Sequence, residues 1–130
     1  MQLKFDHVHY RCADLDRARR FYCDVLGAEL IEERELAGRR VLRLKLGDVY
    51  LLLSPAPPGQ PHRPESADQR LGAYHIAFFV ENHDRAVEYF KQRGAHFVRE
   101  GVMASDDLKV AFIEAPDGMQ VELMERVKKS

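Results

Sequence analysis

The sequence predicts an α+β protein made of two copies of one βαβββ module, and three observations carry that prediction. First, the chain repeats itself. Laid over Tyr74 to Ala95, the segment Asp6 to Ala28 brings His7 onto His75, Asp16-Arg17-Ala18 onto Asp84-Arg85-Ala86 and Phe21-Tyr22 onto Tyr89-Phe90. After a slip of one residue, Gly27-Ala28 falls on Gly94-Ala95. Second, the repeat distance is about half of the 130-residue chain, which means two pseudo-symmetric halves and not a solenoid. Third, each half passes from strand-like alternation or an apolar run to helical spacing and then back to strands.

The elements follow in order. His7 to Arg11 alternates as a strand does, and His75 to Val80 is an apolar run suited to a strand covered on both faces. In the first helix Asp14 caps, Leu15, Ala18, Tyr22 and Val25 form the buried face, and Gly27 supplies the stop. In the second, Asn82 caps, Ala86, Val87 and Phe90 face inward, and Gly94 ends the helix. Three strands follow each helix: Glu29 to Glu33, Arg39 to Leu46 and Val49 to Leu53 in the first half, with His96 to Glu100, Lys109 to Glu114 and Met119 to Met124 in the second. Gly47-Asp48 and Pro116-Asp117-Gly118 are the tight turns. The modules span about 3–54 and 72–126 of a single domain, 1–130, and the chain after Glu125 is expected to fray. Between them Ser54 to Gly72 carries Pro55, Pro57, Pro58, Pro61 and Pro64, a density that suits a linker or lid.

Composition narrows the function. A chain of this length buries a core without disulfides or a structural metal, so any metal is free to be functional. Lys plus Arg number 20 against 21 Asp plus Glu, which argues against a nucleic-acid or anionic-membrane partner and for a small molecule. The longest apolar runs, Val49 to Leu53 and Ile76 to Val80, fall far short of the roughly 20 residues that cross a bilayer. The opening MQLKFDHVHY mixes charge with apolar residues, which predicts no secretory signal and a cytoplasmic protein. Cys12 and Cys23 have no disulfide-framework or zinc spacing and read as packing residues.

Strand alternation puts His7, His9 and Arg11 on one face, and the repeat puts His75 on the equivalent face of the second half. Setting Gly47 on Gly118 places Glu122 opposite Leu51, so only the second half carries a carboxylate there. A lone strand histidine is more often an ordinary polar residue. Together, however, His7, His75 and Glu122 form a set that suits Fe(II), Mn(II), Zn(II), Co(II) or Ni(II) and leaves positions open for water or substrate. These ligands bind when deprotonated, so affinity is expected to weaken below about pH 6. Glu122 lies between Val121 and Leu123, where an unpaired carboxylate on a buried face is costly. His62, His83 and His96 read as surface residues, and Arg43 and Lys45 alternate with Leu42, Leu44 and Leu46, so the site face is either basic or apolar.

These residues resemble the vicinal oxygen chelate superfamily, which includes glyoxalase I, methylmalonyl-CoA epimerase, type I extradiol dioxygenases, fosfomycin-resistance enzymes and bleomycin-binding proteins. The carriers are Asp6-His7-Val8, Ala13 to Ala18 leading to Phe21-Tyr22 and Val25-Leu26-Gly27, His75-Ile76-Ala77, Ala115 to Gly118 and Val121-Glu122-Leu123. The resemblance implies a cupped mixed sheet with helices outside and one divalent metal on its concave face, held by His7, His75 and Glu122. Where glyoxalase I and the epimerases add a Glu or Gln ligand, Leu51 is the expected equivalent. The resemblance implies a metal-dependent enzyme of lyase, isomerase or thiol-transferase type, with Glu122 in its site; His9, on the ligand face two residues from His7, is the candidate catalytic group for proton transfer. Arg11 would clamp a carboxylate or phosphate, and Tyr50 is a candidate substrate contact. An Fe(II) ring-cleaving dioxygenase and a non-catalytic drug- or metabolite-binding protein are the rival readings, and a homodimer is the expected assembly.

Overall fold

The computed structural model describes residues 1–59 and 71–128, and the chain divides into two compact units, Met1–His62 and Arg63–Ser130. The first unit runs β1 (His7–Cys12), α1 (Leu15–Arg19) with a π-helical continuation Arg20–Val25, β2 (Glu29–Leu36), β3 (Arg39–Leu46) and β4 (Val49–Pro55). The second runs β5 (His75–Phe79), α2 (His83–Gln92), β6 (Phe97–Ser105), β7 (Leu108–Glu114) and β8 (Gln120–Arg126). Each builds its own four-stranded mixed sheet, in the order β1-β4-β3-β2 and β5-β8-β7-β6. The first and last strands of each unit pair in parallel, and all other pairs are antiparallel. This is the predicted α+β architecture, one βαβββ module per unit. No helix among the described residues is long and apolar enough to cross a membrane.

In the first unit the Asp14 carboxylate accepts the Arg17 amide at 3.0 Å and starts the helix as expected. Leu15, Ala18 and Tyr22 are buried, but the fourth buried position is Leu26 and not Val25, which is half-buried. The π turn is the cause. The Leu26 amide reaches back to Phe21 O at 3.0 Å, so the wider turn takes up one extra residue and moves the apolar stripe along by one. α1 packs on β4, and on one face of the sheet Leu42, Leu44, Leu51 and Leu53 are fully buried, with Leu42 opposite Leu53 and Leu44 opposite Leu51. Cys12 is buried and Cys23 half-buried, both as free thiols, and burial raises the Cys23 pKa.

In the second unit Asn82 caps α2 through the Arg85 amide at 2.9 Å, and Val87, Ala111, Ile113, Val121 and Leu123 are buried. β6 runs past the predicted Glu100 to Ser105, with register shifts along it; Gly101, at φ 68°, sits in one of them. β8 likewise continues to Arg126, so the chain stays paired beyond Glu125. Ser54 and Pro55, predicted to open the linker, belong to β4; residues 60–70 of that linker, His62 among them, lie outside the described residues.

His83, predicted at the surface, is only 3 % exposed. Its backbone N–H donates to Glu125 Oε1 at 2.6 Å, its Nδ1 lies 2.7 Å from Asp84 Oδ1, and the Gly101 amide donates to its Nε2 at 2.9 Å. The repeat held the clue, because His83 aligns with Leu15, which is buried in the first unit. His96 is exposed, as predicted, with Glu114 3.7 Å away.

Replacing His83 with Ala leaves the Gly101 amide without its acceptor, and is expected to cost about 1–3 kcal/mol in urea unfolding and to speed hydrogen exchange at Gly101. Acid should act through a different set of groups. The Asp84 carboxyl is held below its ordinary pKa, first by its hydrogen bond to His83 and then by Lys109; Asp107 is held down by Ser105 and then Arg126. A depressed folded-state pKa stabilises above the unfolded value near pH 4, and that contribution disappears as pH falls through the lower folded values. Thermal melting should therefore drop progressively below about pH 4, and less steeply in Asp84→Asn.

Candidate functional site

The parallel register of β1 with β4 sets His7 beside Tyr50, His9 beside Leu52 and Arg11 beside Ser54, and β3 adds Lys45 beside Tyr50 and Arg43 beside Leu52. These eight residues share the sheet face opposite the buried leucines. Arg43 and Lys45 are thus on the His7 side, and the basic alternative left open by the sequence is the one adopted in this unit.

His7 is oriented by its neighbour in sequence: its Nδ1 lies 2.7 Å from Asp6 Oδ2, and the same carboxylate takes Arg43 at 3.2 and 3.3 Å. The hydrogen bond to His7, and then Arg43, hold the Asp6 carboxyl below its ordinary pKa. A carboxylate behind one ring nitrogen fixes the tautomer and leaves Nε2 as the available donor, the arrangement metal-binding histidines use. Asp6 has no place among the predicted site residues, although its position next to His7 was the available signal. His9 Nε2 lies 2.7 Å from Ser54 Oγ; burial lowers the His9 pKa, and the charges of His7 and Arg11 act in the same direction. The Tyr50 ring is covered by Arg43, whose Cζ sits 4.3 Å from its centroid.

The position equivalent to Glu122 needs correcting. In the second unit His75 pairs with Gln120 and Ala77 with Glu122, so Glu122 lies two residues beyond the partner of the histidine. In the first unit that position is Leu52, since Tyr50 is the partner of His7. Leu51 pairs with Val8 on the helix-covered face, fully buried. The glycine alignment failed because both final strands begin two residues after the glycine, at Val49 and Gln120, whereas His75 pairs with the first of these residues in its unit and His7 pairs one residue further along, with Tyr50. Leu52 has no ligating atom either, so the first unit still lacks a carboxylate here.

In the second unit His75 Nε2 and Glu122 Oε1 are 3.1 Å apart. Glu122 is 9 % exposed and lies opposite Phe112, whose ring meets His75 edge-on at 5.6 Å. Among the described residues, the buried His75 Nδ1 and Gln120 Oε1 lack hydrogen-bond partners. Arg99, another residue absent from the predicted set, stacks over the Phe112 ring at 4.9 Å, with Nη2 3.5 Å from Tyr74 OH. Only its place opposite Phe112 across a bulged register reveals it.

The structure therefore brings His75 to Glu122, and gathers His7, His9, Arg11 and Tyr50 on one face of the first unit. Among the described residues no three His, Cys, Asp or Glu side chains form a group able to hold a metal ion.

A family model described as the Glyoxalase/Bleomycin resistance protein/Dioxygenase superfamily matches residues 4–123. The chain belongs to this superfamily. It is similar to the probable lactoylglutathione lyase of Synechocystis sp., 31 % identical over 130 residues that cover 95 % of each chain. It is also similar to the probable chloroplastic lactoylglutathione lyase of Arabidopsis thaliana, 30 % identical over 125 residues. That alignment covers 92 % of this chain and 35 % of the relative, so the chain spans about a third of that protein's length. Among solved structures, the glyoxalase family protein from Enterococcus faecalis superposes with a TM-score of 0.78 at 28 % identity, covering 94 % of this chain and 97 % of that one. The two βαβββ units are thus a glyoxalase-superfamily fold.

Proposed function

We propose that this chain is a divalent-metal-dependent enzyme of the glyoxalase superfamily, acting on a small molecule that chelates the ion through adjacent oxygens, with His7, His75 and Glu122 as ligands. The observation that carries the reading is the His75–Glu122 pair, in which a nearly buried carboxylate, flanked by the buried Val121 and Leu123, meets an imidazole nitrogen at 3.1 Å. A buried carboxylate is costly unless paired or coordinated, and a metal held by Glu122 and His75 would use both groups. The donor chemistry fits the group. Two imidazoles and a carboxylate suit Fe, Mn, Zn, Ni or Co, and Asp6 already holds His7 with Nε2 available.

When bound, the ion supplies Lewis-acid polarisation of the chelating oxygens. The chain's own groups do the rest. His9, on the His7 face, is placed to exchange a proton with a molecule seated there. Arg11, exposed on the same face, pairs with an anionic substituent. Tyr50, stacked under Arg43, supplies a flat wall beside His7. The similarity to proteins named lactoylglutathione lyases supports lyase or isomerase chemistry, while Leu52 confines the ligand set to three. A homodimer is part of the same proposal, and sedimentation of the purified protein reads it.

Elemental analysis of protein purified without chelators or a histidine tag is the direct test. Near-stoichiometric metal is expected in the parent and loss of metal in both His7→Ala and Glu122→Ala; a parent that binds no metal, and shows no thermal shift on anaerobic addition of Fe(II), Mn(II), Zn(II), Ni(II) or Co(II), sinks the reading in favour of a binding protein. An iron preference together with oxygen uptake on a catechol would move the chemistry to ring cleavage. Asp6→Asn should weaken metal affinity by about 10–100-fold while leaving far-ultraviolet circular dichroism unchanged, because it disturbs only exposed side-chain contacts, to His7 and Arg43.

A further inference from the structure

We infer that Ser54 is a positioning residue for His9: its buried hydroxyl donates to Nε2 of the ring, so that His9 presents an Nδ1–H donor to an oxygen of the bound molecule. The inference deepens the proposed enzymatic reading and rests on it for the role of His9, but the Ser54–His9 contact stands on geometry alone. Ser54 is 6 % exposed, and its Oγ lies 2.7 Å from His9 Nε2.

Two considerations fix the direction of that bond. A buried hydroxyl proton needs an acceptor, and among the described residues the partner of the Ser54 hydroxyl is His9 Nε2. A neutral imidazole keeps a lone pair on one ring nitrogen, and Nε2 is the nitrogen within reach of Ser54 Oγ. An imidazole accepting at Nε2 carries its proton on Nδ1 when neutral. Without Ser54 the ring of an exposed strand histidine turns between two nearly equivalent orientations, each offering a different atom. With Ser54 one nitrogen is tied to the sheet, and the other is left for the face shared with His7 and Arg11.

The chemical consequence is specific. A neutral imidazole N–H aimed at a substrate oxygen stabilises negative charge that develops there, as a fixed donor for an enolate or alkoxide. The substrate class follows: a carbonyl compound whose oxygen becomes anionic during reaction.

The test uses the full chain, metal-free, with 15N-labelled histidine at about pH 8, where an ordinary imidazole is neutral. The His9 signals are assigned by their loss in His9→Gln. Expected in the parent is a proton-bearing Nδ1 and a proton-free Nε2 for His9, retained in Ser54→Thr and shifted towards the Nε2–H form in Ser54→Ala. A parent in which His9 carries its proton on Nε2, or a Ser54→Ala spectrum identical to the parent, overturns the inference. The parent spectrum decides even where a variant fails to fold. Because no metal is present, failure of the metal reading leaves this spectrum untouched: a chain with the expected tautomer that binds no metal keeps the Ser54–His9 pair and loses only its catalytic setting.

Discussion

Nearly every role assigned to a side chain here depends on the parallel pairing of the first strand of each unit with its last. That pairing fixes which residues stand beside His7 and His75, and because side chains alternate strictly, it also fixes which residues go to the core. In the first unit it sends Leu42, Leu44, Leu51 and Leu53 to the buried face and His7, His9, Arg11, Arg43 and Lys45 to the other. A slip of one residue would bury the charges and expose the leucines. The leucine core is what makes the register stiff, and the stiff register is what lets polar groups on the opposite face hold defined distances.

Much of this was legible before any coordinates. The internal repeat gave the two modules, and the two caps, Asp14 and Asn82, made the hydrogen bonds their side chains are suited to. What failed did so for local reasons. Counting from a glycine pairs Leu51 with Glu122, and the first strand sits on the last one residue further along in the first unit than in the second. Val25 was placed inside because an ordinary helical period was assumed, and a π turn intervened. His83 was placed outside because histidine at a helix start is usually solvated, whereas here three polar partners make burial affordable. Asp6, Ser54 and Arg99 act through contacts with neighbours, which spacing alone does not report.

The two units have diverged in how they satisfy buried polarity. The second encloses an imidazole at the start of its helix where the first has Leu15, and a carboxylate on its final strand where the first has Leu52. The first keeps its ionisable groups on the open face, with Asp6 drawing His7 and Arg43 together and Ser54 holding His9. Polar groups inside a fold lock geometry only when their partners are in place. The second unit thus adds the polar contacts of His83 to a core of Val87, Ile113, Val121 and Leu123, whereas the first packs leucines there.

Leu52 sits on the face that carries His7, at the place where the second unit has Glu122. Both residues stand two places beyond the partner of the histidine, on a strand that pairs in parallel with the first strand of its unit. The two units differ at this place by a side chain, apolar in one and a carboxylate in the other. Placing a carboxylate on the His7 face of the first unit then requires no remodelling of the fold, since one side chain on an already aligned strand carries the difference.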